Sequence, residues 1–164
     1  MKRETSLPKP SPFQTQDLRE WLRVTEELGE LKHVKGAHWD QELGAITEIN
    51  NRRRGPCLLF DEITDYPPGY RLVTGTTGSP ARLAGLLGFS TDLSNAGLVQ
   101  ALRGKPQQWE NLAGDFPPET VQSGPILENV KSGKDINLLE FPVPKWHQQD
   151  GGRFIGTGSA VVTR

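Results

Sequence analysis

From Asp17 onward, apolar residues recur at helical spacing. Leu18, Trp21, Leu22, Thr25 and Leu28 share one face, Thr15 or Gln16 sits near the cap, and Gly29 stops the run, which predicts an amphipathic helix. Glu30-Leu31-Lys32-His33-Val34 then alternates polar with apolar, the period of a half-buried strand. A second helix is predicted from Asp40 as N-cap, through Leu43, Ile46 and Ile49, to Arg52-Arg53-Arg54, whose charges suit the negative end of the helix dipole. Gly55-Pro56 ends it. Cys57 to Phe60 is a continuous apolar run too short for a helix, hence a buried strand, with Tyr70 to Thr74 as its neighbour across the turn Tyr66-Pro67-Pro68-Gly69. Ser79-Pro80 opens a third helix, the hydroxyl capping it and the proline setting the first helical φ, and Gly88 closes it. A fourth runs from Asn95 to about Leu102 and ends at Gly104.

Between residues 104 and 124 the period fades into a stretch rich in Pro, Gln and Gly, and a domain boundary is placed there. The expected organisation is a lead-in over 1–16, carrying Pro8, Pro10 and Pro12, a mixed α/β domain over 17–120, and the start of a second, β-type domain over 121–164. Strands are predicted at 125–130 and 153–163, separated by Ser132-Gly133, Pro142 and Pro144. In the second of these the glycines would flatten or bulge the strand and let a ligand or another backbone come close. That strand has no partner in the sequence. An unpaired edge is a liability, so its partners are expected from further residues or from another chain.

Composition narrows the class. The 164 residues, 34% hydrophobic and 24% charged, suit one globular domain plus the start of another. A formal net charge of −1, with both signs interspersed, leaves no basic footprint for a phosphate backbone, so nucleic acid is not an expected partner. No apolar run approaches the roughly 20 residues that span a bilayer. The single Cys57 cannot form an intramolecular disulfide, which suits a reducing compartment, and a cytoplasmic location is expected.

Few residues announce chemistry. His147 and Asp150 stand at H-x-x-D spacing before Gly151-Gly152, but two ligands make no closed metal site. The plainer reading is a turn in which Asp150 caps its own backbone and the glycines take φ > 0. His33 and His38 flank Gly36 with no acid–base partner legible in the sequence, and read as surface or packing residues. Gly156-Thr157-Gly158 offers a hydroxyl and two unobstructed N–H groups that could cradle a phosphate or a flavin edge. It does not match G-x-G-x-x-G and no helix start follows, so spacing alone favours structural strand glycines. Arg52-Arg53-Arg54 reads as a solvated helix end, Trp21 as core, and the apolar flank of Cys57 argues against a nucleophile. Trp146, beside His147, is the tryptophan of functional interest. No catalytic or metal-ligating residue is assigned.

The stretch from Leu139 to Gly158, with Pro144-Lys145-Trp146-His147-Gln148-Gln149-Asp150-Gly151-Gly152 at its centre, resembles a signature of the UbiD family of (de)carboxylases. In that family such a run leads into the first strands of a flavin-binding split β-barrel. Asp17-Leu18-Arg19-Glu20-Trp21-Leu22, Gly55-Pro56 before a strand ending in Phe60, and Gly78-Ser79-Pro80-Ala81-Arg82 resemble that family's N-terminal α/β domain. The resemblance implies prenylated FMN, held through a divalent metal (Mn or Mg) and potassium, and reversible decarboxylation of an aromatic or α,β-unsaturated acid by a homo-oligomer. The family's metal-binding Asn and catalytic Arg fall in a motif beyond residue 164, and His147 does not match its metal-binding histidine. What can be carried over is a cofactor wall at Gly156, Thr157 and Gly158, with Thr157 facing the flavin. The expectation is the N-terminal part of such an enzyme, silent by itself and completed by further residues or a companion subunit. The alternatives are a non-catalytic accessory subunit that keeps the α/β domain, and a small flavin domain of another oxidoreductase.

Overall fold

The computed structural model describes Thr15, residues 17–153 and Ile155. Helix α1 spans Leu18–Glu27, strand β1 Leu31–Lys35, α2 Glu42–Arg52, β2 Cys57–Asp61, β3 Leu72–Thr74, α3 Pro80–Leu86, α4 Asn95–Leu102 and α5 Lys105–Leu112. The three strands form one mixed sheet in the order β1-β2-β3, with β1 parallel and β3 antiparallel to the central strand β2. A parallel pair needs a crossover, which α2 supplies, while the loop over residues 62–71 returns the chain antiparallel without a helix.

β2 is apolar from Cys57 to Phe60 because both of its faces are covered there. Leu58 and Phe60 point to one side, where they pack with Leu43 of α2, Ala37 and Ile63. Cys57 points to the other, against Trp21 and Val24 of α1. Successive strand residues alternate in direction, so this one segment joins two cores. Burying a side chain such as Phe60 or Leu43, both fully enclosed, is worth about 1.5–3 kcal/mol.

The caps show where local signals sufficed. Ser79 accepts from the Arg82 N–H, Ser94 from the Gly97 N–H, and Gly29, Gly88 and Gly104 take positive φ at the predicted stops. α1 is capped by Asp17, whose carboxylate accepts from the Glu20 N–H at 2.8 Å, one or two residues after the expected position. Asp40 is not the cap of α2. Gln41 holds that place at φ 67°, because its N–H is drawn to the Lys145 carbonyl (2.8 Å) while the Asp40 N–H bonds His38 Nδ1 (2.9 Å).

Beyond Gly104 the expectations fail in two places. Residues 105–112 are helical, not irregular: Pro106 lies in the first turn, where its missing N–H costs nothing, and no residue of α5 is buried, so no apolar period marks it. The strand expected at 125–130 is instead a 3₁₀ turn, Pro125–Leu127, with Ile126 and Val130 exposed. Apolar residues there satisfied the strand pattern, yet among the described residues no strand lies beside them to take their backbone bonds. Two more 3₁₀ turns, Gly133–Asp135 and Leu138–Glu140, complete a strap that leads to the signature run. The strand expected at 153–163 falls almost wholly outside the described residues.

Candidate functional site

The signature run is docked on the α/β domain by backbone bonds first. Lys145 donates its N–H to the Trp39 carbonyl (3.1 Å) and its carbonyl accepts from Gln41 (2.8 Å), a short parallel bridge that continues the chain after β1. Pro142, Val143 and Pro144 are buried against it. The bridge brings the Trp146 backbone onto α2, where a Cβ built on Gly44 would stand 2.0 Å from the Trp146 carbonyl oxygen. Only glycine permits that approach.

After the bridge the chain makes a turn and comes back on itself. The His147 N–H donates to Asp150 Oδ2 (2.8 Å) and the Asp150 N–H to the His147 carbonyl (3.1 Å), so Asp150 caps its own turn as expected. The glycines depart from expectation: neither Gly151 nor Gly152 has a positive φ, and a Cβ on either meets nothing within 4 Å. Gly152→Ala is therefore expected to leave the melting temperature within about 1 °C, as for a neutral surface change; a drop of several degrees would contradict this geometry. His147 Nε2 lies 3.7 Å from Glu48 and Nδ1 3.8 Å from Asp150, distances of loose ion pairing at an exposed position. No metal cluster arises there, and none of three or more His, Cys, Asp or Glu exists among the described residues.

Arg153 closes the loop. Its Nε–H donates to the Val143 carbonyl (2.7 Å), its guanidinium lies 3.9 Å from the centroid of the Trp39 ring and 5.7 Å from that of Tyr66, and a terminal N–H bonds the Tyr66 hydroxyl. Tyr66 in turn donates to the Leu139 carbonyl (3.3 Å), and Trp39 Nε1–H to Asp65 Oδ2 (3.1 Å). A planar cation stacked on one ring and bonded to the hydroxyl of another is a geometry that Lys cannot reproduce. Nearby, Lys131 and then Tyr70 hold the Glu140 carboxyl below its ordinary range, and the same bond raises the Tyr70 phenol. These contacts anchor the strap across a cleft of about 550 Å³ lined by Ile136, Leu138 and Phe141.

The remaining candidates resolve as follows. Gly156, Thr157 and Gly158 lie outside the described residues. His33 and His38 do have acidic neighbours, contrary to expectation: Glu26 at 3.0 Å and Asp65 at 3.4 Å respectively. Sequence separation hid both pairs. Arg52 pairs with Glu48 on the solvated helix end, and Trp21 is core. Cys57 is fully buried, its thiol donates to the Thr74 carbonyl (3.1 Å), and burial pushes its pKa up to about 11. It is therefore expected to resist a thiol reagent at pH 8 until the chain unfolds; rapid labelling of the folded protein would contradict this. Stability held by the protonated thiol is intact below pH 9.0, the ordinary value, and is lost as pH rises through about 11.

Arg82, Trp39, Tyr66 and Arg153 were not legible as a set. Arg82 is buried among acceptors that come from three separate segments, and the clamp joins residues 87 and 114 positions apart, so no spacing rule reaches either.

The chain matches two family models: the 3-octaprenyl-4-hydroxybenzoate carboxy-lyase N-terminal domain over residues 22–102, and the Rift-related domain of the same carboxy-lyase over 119–164. It is 37% identical over 123 residues to the pyrrole-2-carboxylic acid decarboxylase of Pseudomonas aeruginosa, covering 71% of this chain and 24% of the relative. To the phenolic acid decarboxylase of Sedimentibacter hydroxybenzoicus it is 32% identical over 152 residues, covering 89% and 30%. Among solved structures, the vanillic acid decarboxylase of the same organism in closed form superposes with a TM-score of 0.71 at 31% identity, covering 85% of this chain and 29% of that one. The open form gives 0.61 at 30% identity over the same shares. The chain spans 24% and 30% of the length of these two curated relatives.

Proposed function

Because this chain belongs to the UbiD family of carboxy-lyases, we propose that it forms the N-terminal part of an enzyme that reversibly removes CO2 from an aromatic or α,β-unsaturated acid. The observation that carries the reading is the pair of consecutive matches, N-terminal domain then Rift-related domain, on one chain. Relatives named for pyrrole-2-carboxylic, phenolic and vanillic acids support an aromatic substrate. In this reading residues 17–120 form the α/β domain and 121–164 begin the cofactor domain. The enzyme is cytoplasmic and homo-oligomeric, and the rest of its pocket comes from further residues or a companion subunit, so this chain alone is inactive.

The cofactor of this reading is prenylated FMN with a divalent metal, Mn or Mg, and potassium. When bound, the modified flavin supplies the electron sink for decarboxylation. In this reading the metal ligands lie mostly outside this chain. This chain's contribution is a cofactor wall at Gly156, Thr157 and Gly158, approached from the clamp at Arg153. Thr157→Val in the assembled enzyme is expected to lower flavin occupancy or turnover about tenfold, the loss of one hydrogen bond to a bound group. Normal values for both would remove Thr157 from the wall.

The activity is tested by supplying the assembled enzyme with prenylated FMN and measuring CO2 release from pyrrole-2-carboxylate, vanillate and other aromatic acids. Release from at least one of them supports the reading. A cofactor-loaded enzyme that releases none would overturn it.

A further inference from the structure

We propose that a cavity of about 240 Å³ between α1 and the β2–β3 pair binds a small organic carboxylate, a monoacid whose body is one apolar ring. Its floor is apolar and comes from three elements. Leu59 of β2 and Val73 of β3 stand opposite each other across the antiparallel pair. Leu18 and Leu22, neighbours at i and i+4 on α1, line the cavity above them. Leu59 is only 4% exposed, so this floor is continuous with the core. The rest of the lining is Arg19 of α1, Arg71 one position before β3, and Gly69, which leaves its side of the rim without a side chain. The site lies within the α/β domain and stands on this cavity alone, so it does not depend on the decarboxylase reading.

Charge selects the ligand. Arg19 and Arg71 are both exposed, and neither forms a hydrogen bond or ion pair among the described residues. The carboxylates beside Arg19 on α1 are engaged elsewhere: Asp17 accepts from the Glu20 N–H, and Glu20 lies 3.9 Å from Arg23, which also holds Glu27 at 2.6 Å. Among the described residues no acidic side chain lines the cavity. A cleft that carries one sign of charge on apolar walls focuses its field and draws in the opposite ion. Guanidinium groups match a carboxylate in plane, through two parallel N–H bonds to its oxygens. The leucine and valine floor then discriminates between anions. It cannot replace the water around a compact ion such as phosphate, whereas an apolar ring gains by leaving water for that floor. Volume sets the size, since the cavity is smaller than the roughly 300–1,000 Å³ that takes drug-sized ligands.

The test is methyl NMR on the assembled enzyme with labelled leucine and valine, titrated with sodium benzoate. The methyl groups of Leu22, Leu59 and Val73 report on the floor itself, which separates this cavity from any catalytic pocket elsewhere in the enzyme. Benzoate is expected to shift all three along one saturable curve. Benzamide has the same ring without the charge and should bind about tenfold more weakly. Arg19→Gln and Arg71→Gln should each cost about threefold in benzoate affinity, the size of one exposed ion pair, and the double variant about tenfold. Both positions are exposed, so these variants are expected to fold as the parent does. Methyl groups that stay unmoved at the highest benzoate concentration would overturn the proposal, as would equal binding of benzamide or undiminished binding in the double variant. Sodium phosphate that displaced benzoate at equal concentration would also overturn it, because the apolar floor would then contribute nothing to recognition.

Discussion

Arg82→Ala is expected to lower stability by about 3 kcal/mol, read as a fall in the urea midpoint and in the melting temperature. Arg82 is 2% exposed, and its guanidinium is shared among three segments. Nε–H donates to the Gly75 carbonyl (3.1 Å), one terminal nitrogen to the Gly55 carbonyl (3.3 Å), and the other to Glu30. It thus ties α3 to the start of β1, to the loop entering β2 and to the loop leaving β3. Removing one partner of a buried pair costs about 3–5 kcal/mol, but the Glu30 side chain is 40% exposed, so water can take over its charge and the lower end applies. For a chain of this size about 3 kcal/mol corresponds to roughly 6–12 °C in Tm. Arg82→Met separates the contributions. It keeps most of the packing volume and should recover part of the loss, leaving the cost of unbonded carbonyls at about 1 kcal/mol each. A melting temperature unchanged by Arg82→Ala would mean that this network stabilises nothing.

Gly44→Ala is the second large effect, and it should be local. Alanine is otherwise the better helix former, by about 1 kcal/mol, so on an isolated α2 the change would stabilise. Here its Cβ would lie 2.0 Å from the Trp146 carbonyl oxygen, 2.7 Å from the carbonyl carbon and 2.8 Å from Cα. None of these is the movable end of a side chain, so either α2 or the signature run must shift. Overpacking of this kind costs about 1–3 kcal/mol. The run is the weaker party: two backbone bonds through Lys145 and the Arg153 clamp hold it, whereas α2 is anchored by the fully buried Leu43. The expected result is faster hydrogen exchange at the amides of Gln41 and Lys145, with the exchange of β2 amides unchanged. Exchange at Lys145 as slow as in the parent chain would show that the approach tolerates a methyl group and that the contact is looser than its geometry.

Both predictions concern joints between distant segments, which sequence reading reached least well. The helices α1, α2, α3 and α4 and the strands β1, β2 and β3 were legible because each is declared by its own residues. Examples are the helical recurrence of Leu18, Trp21, Leu22, Thr25 and Leu28, the apolar run Cys57–Phe60, Ser79 before Pro80, and glycine at each stop. α5 was missed for the complementary reason. It buries nothing, so no period marks it, and only Pro106 in the first turn hints at a start. The strand expected at 125–130 had the right residues and lacked what makes a strand, a neighbour to bond with. The Asp150 turn was legible because its bond spans three residues, whereas its glycines were given a φ that the turn does not require.

Local preference and burial pattern thus determined the kinds of elements, their order and most of their ends, along with the likeness that identifies the family. Tertiary structure alone decided that Gln41 rather than Asp40 begins α2, that Gly44 must lack a side chain, that Arg82 is buried, and that Arg153 rests between Trp39 and Tyr66. In each case at least one deciding partner lies 27 or more residues away, as Gly55 does from Arg82, Tyr66 from Arg153, Trp146 from Gly44 and Lys145 from Gln41. A periodicity is written into neighbouring residues. A hydrogen bond or a backbone approach between remote segments exists only once the chain has brought them together.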